Sequence, residues 1–379
     1  MKSTNPIAAA LFAAMSLLGT VAATTPSHAA SAATATMIAD TTERGPSAPS
    51  AFAVDAATLN TGFVLTARCE TYVDDDADGL DDGVENCALN DYAPVLQLPL
   101  DYDWTRPANV DWYLARTALR FHHNNCSDEQ IVPIGGLTQT RLVNQFHRRK
   151  RGVASLNPCS HYGDLISSGR GPYDDNHHFF LQPNDSTHAG AANPGDWIDY
   201  GHVYPNEIGG MNVQYWFFYA YNDNVGSFNH EGDWESITVR LNPQGNPDGL
   251  YVCAHAKCDL HAAANITWHA TRHPIIWVAD GSHASYTTEV SCDRNVYVEG
   301  AGDNCQTVAA YRWFTWSGGR GTQAGLQGRG VINVGEKRHP LNNQKFIRYY
   351  AKWGENGTSD VTSGPRTPTF QASWSVGGL

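Results

Sequence analysis

Positive charge is scarce in this chain: 379 residues carry 25 Lys and Arg against 38 Asp and Glu, a formal net charge of −13. That balance excludes nucleic acid and anionic lipid as generic electrostatic partners, since either needs a basic surface to hold its phosphates. The one basic run, HRRKR at residues 147–151, closes an expected helix over 137–149 and complements its C-terminus. Long apolar runs are equally scarce. Beyond the N-terminus nothing approaches the roughly 20 apolar residues that a membrane-spanning helix needs, so no transmembrane segment is expected. Also missing are a G-x-S-x-G nucleophile motif, an H-E-x-x-H zinc helix and paired C-x-x-C spacing. These gaps weigh against a serine hydrolase, a zinc peptidase and a zinc–cysteine cluster.

Residues 1–29 read as a bacterial-type secretory signal, with Lys2, an Ala/Leu-rich run and a small-residue cleavage site at Ser27-His28-Ala29. Residues 30–60, rich in Ala, Ser, Thr and Pro, are expected to form a flexible linker. The protein is therefore expected to be secreted, extracellular or periplasmic. Its 8 cysteines all follow the signal, and an even count in an exported chain reads as disulfides. Spacing alone leaves the connectivity open. Pairing nearest neighbours would join Cys69 to Cys87, Cys126 to Cys159, Cys253 to Cys258 and Cys292 to Cys305.

The segment 61–90 contains DDDADGLDDGVE, which fills the twelve-residue calcium-loop template position by position. Asp74, Asp76 and Asp78 supply oxygens at positions 1, 3 and 5, and Gly79 permits the sharp turn. Leu80 offers its carbonyl, Asp82 acts through water, and Glu85 binds with both oxygens. An ordinary acidic turn would not also place Gly at six and Glu at twelve. The D-x-D-x-D-G core resembles EF-hand loops and the calcium repeats of thrombospondin type 3 and dockerin modules. Bound Ca²⁺ is expected to hold this segment against the rest of the chain.

A second candidate lies in YWFFYAYNDNVGSFNHEGDWESITVRL, residues 215–241. Its first part is apolar on both alternating faces, as in a central strand. From Trp234 onward, Asp233 and Glu235 share a face with Ile237, Val239 and Leu241. Carboxylates at the end of a buried face need a cation, an arginine or exposure at the rim. His230 and, across a hairpin, Asp223 suit a divalent cation, and the mixed donors leave Mg²⁺, Ca²⁺, Mn²⁺ and Zn²⁺ open. His255 and His283, near strand ends, are candidates to complete that site.

The fold class expected is mainly β: an antiparallel β-sandwich with a few short helices and long loops over 91–379. A helix starting near Pro107 or Asn109 is expected to present Val110, Tyr113, Leu114 and Leu119 on one face. Residues 152–205, rich in Gly, Pro, Asn and His, read as loop, and residues 346–357 as a strand and turn.

The motifs YAPVLQLPLDYDW, YWFFYAYND, NHEGDWESITVRL, HPIIWVADGSHASY and YYAKWGENG, in this order from about Asp91 to Trp374, resemble the vacuolar protein sorting-associated protein 62 family. The H-x-x-D-W-E element is also similar to the GHRHDWE heptapeptide of necrosis and ethylene-inducing peptide-like cytolysins. That resemblance implies a secreted β-sandwich with a divalent cation held by His230, Asp233, Glu235 and Asp223. Asn229, Glu231 and Gly232 depart from the heptapeptide, which bears on its lipid-head-group contacts. The implied function is recognition of a glycan or membrane lipid head group at a target cell surface, with toxin-like action. One alternative is metal-dependent hydrolysis of a phosphoester or glycan, with Glu235 or Asp233 as general base and His255 or His283 stabilising charge. A calcium-stabilised structural surface protein is the other.

Overall fold

The computed structural model describes residues 69–99, 105–122, 127–148, 165–169, 179–223, 229–254, 257–293, 296–298, 301–303, 305, 311–317, 330–355 and 363–379. The signal and linker expected over 1–60 lie outside these residues, as do Cys126, Cys159 and His255. The strands that build the main sheets are β1 (Val95–Leu98), β2 (Thr117–Phe121), β3 (Glu129–Val132), β4 (Phe179–Pro183), β5 (Asp199–Pro205), β6 (Met211–Asn222) and β7 (His230–Leu241). They continue as β8 (Pro247–Ala254), β9 (Lys257–Ala262), β10 (Trp268–His269), β11 (His273–Val278), β12 (Ser285–Tyr286), β13 (Tyr311–Phe314) and β14 (Val331–Asn333). Helices are short: α1 (Asp82–Asp91), α2 (Val110–Leu114), α3 (Gln139–Val143) and α4 (Glu289–Asp293).

The largest sheet has six strands in the order β9-β8-β7-β6-β5-β14. A second runs β10-β11-β1-β13 with β12 paired to β11, and a third runs β3-β2-β4. Most pairs are antiparallel, as expected, but β1–β11 and β5–β14 are parallel. β6 is the central strand its sequence suggests. Tyr215, Trp216, Phe217, Phe218 and Tyr219 are all buried, because apolar layers cover both faces. The sheets share one hydrophobic cluster, in which Trp197 beside β5 meets Trp313 of β13 edge-on at 5.7 Å. This layered, mainly β arrangement is the sandwich-like fold read from the strand pattern.

Four sequence expectations need correction. The helix begun by Asn109, whose side chain accepts from the Trp112 N–H at 2.6 Å, stops at Leu114. Leu119 instead belongs to β2, where pairing on both edges with β3 and β4 overrides helical periodicity. The helix expected over 137–149 is only α3, with a strand at Phe146–Arg148 following. The expected loop over 152–205 includes β4 and β5, whose apolar residues enter the shared core. The described part of that segment, residues 346–355, does not make a strand. A 3₁₀ turn at Lys345–Arg348 leads to Trp353, which is fully buried against Tyr113, Phe218, Trp234, Phe346 and Tyr349 at centroid distances of 5.1 to 6.1 Å.

Three disulfides join Cys69 to Cys87, Cys253 to Cys258 and Cys292 to Cys305. Among the described residues, no helix is long and apolar enough to cross a membrane.

Candidate functional site

The acidic loop folds back on itself through its own backbone. Asp74 accepts from the N–H of Ala77 at 2.7 Å and of Gly79 at 3.2 Å, while Asp78 accepts from Leu80 N–H at 2.7 Å. Gly79 has φ +93°, a conformation that a side chain would strain. Asp81 caps α1, accepting from Gly83 and Val84 N–H, and also takes the Thr71 N–H. These bonds leave a concave set of oxygens. Ligand atoms of Asp74, Asp76 and Asp78 lie within 4.8 Å of one another, and so do those of Asp76, Asp82 and Glu85.

Electrostatically this set is unfinished. Asp76 is 1% exposed and neither of its carboxylate oxygens has a hydrogen-bond partner. Glu85 is fully buried; Oε2 accepts from Asn333 Nδ2 at 2.8 Å, and Oε1 accepts nothing. Burial, compounded by Asp78 and Glu336, pushes Asp76 up to about 8. Burial likewise pushes Asp78 up to about 7, against the opposing Leu80 N–H and with Glu336 adding to it. Glu85 is raised well above the ordinary carboxylate range, first by burial and then by Asp78 and Asp76. Closely spaced, desolvated carboxylates either take up protons or meet a cation. An all-oxygen donor set of this kind suits a hard divalent ion.

The loop is fastened to the main sheet. Cys69–Cys87 closes it, the Tyr215 hydroxyl of β6 donates to Leu89 O at 3.0 Å, and Gly201 of β5 leaves room for Leu89, whose Cδ2 would lie 2.2 Å from an added Cβ. Asn333 ends β14, and Glu336, bonded to the fully buried His202 at 2.7 Å, follows it. Neither residue was read from the sequence as part of this site. They stand some 250 positions from the loop, and no local pattern marks them.

At the far end of β7 the arrangement differs from the expected ligand set. His230 begins β7, two residues before Gly232, whose φ of +66° interrupts the strand's alternation ahead of Asp233 and Glu235. Its Nδ1 approaches Gly232 O at 2.8 Å. Asp223 is exposed and accepts from Asn229 Nδ2 at 3.0 Å. Asp233 instead meets His283, whose Nδ1 is 2.9 Å from Asp233 Oδ2 and whose ring stacks on Tyr219 at 3.8 Å. Because the carboxylate accepts, the Nδ1 position carries the proton. His283 is held there by a tight turn in which it adopts φ +54°, and Gly281 O of that turn accepts from Asp223 N–H at 2.9 Å.

Asp303, which the sequence reading missed, completes the neighbourhood. It accepts from Ser282 Oγ at 2.5 Å and from the Tyr286 hydroxyl. Glu235 is raised well above its ordinary value by burial, then by Asp233 and Asp303. Asp233 and Asp303 are thus each bonded to protein groups. Among the described residues, His230, Asp233 and Glu235 do not form a group with ligand atoms within 4.8 Å of one another.

No family model matches the chain, so the resemblance to the vacuolar protein sorting-associated protein 62 family stays an expectation. No curated protein matches it either. A solved structure to which it is similar is the crystal structure of Necrosis and Ethylene inducing Protein 2 from the causal agent of cocoa's Witches Broom disease. The likeness has 20% identity and a TM-score of 0.23, and covers 28% of this chain and 50% of that one. A match of that extent spans half the length of its counterpart and leaves this chain's site to be read from its own residues.

Proposed function

We propose that this chain is an exported β-sandwich protein that binds Ca²⁺ in the Asp74–Glu85 loop and recognises a glycan or lipid head group at a target cell surface. The observation that carries the calcium reading is the pair of buried carboxylates at Asp76 and Glu85 with oxygens that accept no hydrogen bond. An uncompensated anion there is costly, and calcium at extracellular concentration relieves it. Cys69–Cys87 and its two companion disulfides favour an oxidising compartment. Calcium in this reading is structural: it fixes the loop, α1 and β14 to one another.

One geometric observation stands against a serine-nucleophile hydrolase. The Ser282 hydroxyl donates to Asp303 rather than to the neighbouring His283, so that turn is not arranged as an activated nucleophile. A second divalent cation near Asp233 and Glu235 has less support, because Asp233 is already bonded to His283.

Vesicles of extracted plant, fungal and bacterial lipids, loaded with dye, test the reading with calcium-loaded protein. The expected outcome is binding to one lipid class, with release of dye if the action is toxin-like. Asp233→Ala should weaken it by removing the partner of a buried histidine at about 1–3 kcal/mol. Retention of full binding by Asp233→Ala and in the presence of chelator would remove the second cation from the account. A folded, calcium-loaded protein that binds no vesicle and no immobilised glycan, yet turns over a phosphoester or glycan substrate, would replace recognition by hydrolysis.

A further inference from the structure

A groove of about 280 Å³ opens between the β8–β9 hairpin and residues 285–291. It stands at the β9 edge of the six-stranded sheet, whereas Asn333, which bonds Glu85 of the calcium loop, ends β14 at the other edge. From its chemistry we infer that this groove is the binding site for a single neutral sugar residue; the inference deepens the recognition reading and rests on it.

The decisive group is Ser285. It lines the groove, is 1% exposed, and among the described residues its Oγ has no hydrogen-bond partner. A buried hydroxyl left unpaired is costly, and a ligand hydroxyl entering the groove supplies the missing bond. Thr287 and His261 add further groups that can both donate and accept, the pairing habit of a polyol. Tyr286 supplies an aromatic surface, and Val252 with Ala254 a small apolar patch, against which the C–H face of a sugar ring packs.

Charge narrows the ligand further. The ionic groups on the rim, Lys257 and Asp259, are paired with each other at 2.8 Å, so the groove presents no net charge to an occupant. A neutral hydroxylated ring meets offset charges on that rim.

The walls are preorganised. Cys253–Cys258 clamps the hairpin beside the groove, Tyr286 is paired with Trp277 of β11, and the Tyr286 hydroxyl donates to buried Asp303. Rigid walls spare a small ligand the ordering cost that weakens binding to mobile loops. The volume is that of a small-molecule site near the lower end of the usual range, fitting one ring rather than an extended chain.

The test uses full-length mature protein with calcium. Saturation-transfer NMR and calorimetry are run against methyl glycosides of glucose, galactose, mannose and N-acetylglucosamine, with choline chloride as a charged control. Ser285→Ala removes the hydroxyl without adding bulk, and Ser291→Trp fills the groove from its partly exposed wall. The expected result is binding of at least one glycoside and not of choline, weakened about tenfold by Ser285→Ala and lost in Ser291→Trp. Vesicles of the same lipid extracts are assayed in parallel with both variants. Vesicle or glycan binding that Ser291→Trp leaves intact would overturn the groove while the recognition reading stands. If the folded wild type binds no glycoside, vesicle or glycan, both fall together.

Discussion

Stripped of calcium, the protein is expected to lose stability steadily as pH rises from about 4 to 8, and calcium is expected to offset part of that loss. Asp76 and Asp78 start from 3.8 and are pushed up to about 8 and about 7 in the fold, chiefly by burial. The folded state therefore binds more protons than the unfolded state between those values. Raised carboxyl groups contribute their full stability below pH 3.8 and lose it as pH climbs through 7 and 8. Glu85 shifts in the same direction. Calcium at about one hundred times its dissociation constant should restore about 2.7 kcal/mol, or about 4 °C in melting temperature for a domain of this size. Circular dichroism melts at pH 5 and pH 8, with calcium and with chelator, measure both effects. Equal melting temperatures at the two pH values in chelator would contradict the burial of these carboxylates.

Gly232→Ala is expected to destabilise the protein by about 3 kcal/mol or more, an effect out of proportion to one methyl group. The residue sits within β7 at φ +66°, where an alanine is strained by about 1–2 kcal/mol. Its Cβ would also lie 2.6 Å from Trp353 O and 2.8 Å from Trp353 Cβ. Neither can retreat easily. Trp353 is wedged among five aromatic rings, its Nε1 donates to Thr367 Oγ1 at 2.7 Å, and its carbonyl accepts from the Tyr113 hydroxyl at 2.6 Å. Asp233, the next residue, would lose its register with His283 as the strand adjusted. Urea unfolding measures the loss, and a change below about 0.5 kcal/mol would contradict the packing described.

Gly232 also marks the limit of what the sequence could say. The acidic cluster was legible because its carboxylates fall within twelve consecutive residues in a recognisable order. The mainly β class was legible for a similar reason, since alternation along 230–241 and the unbroken apolar run of 215–219 are local signals. The surroundings of the second site were not. Spacing grouped His230 with Asp233 but gave no sign that Asp233 bonds His283, fifty residues away. Asp303, Asn333 and Glu336 are invisible for the same reason: each enters through sheet topology, which no window of sequence contains. β4 and β5 were hidden by flanking Gly, Pro and Asn, and β2 by a helical period that the sheet overrode.

Calorimetric titration of calcium into metal-free protein tests the central claim most directly, with Glu85→Gln alongside. The account predicts one site per chain in the wild type and an affinity at least about a hundredfold lower in the variant, whose fold is checked independently. Titration of the folded wild type without a binding isotherm, or an isotherm unchanged by Glu85→Gln, would contradict it.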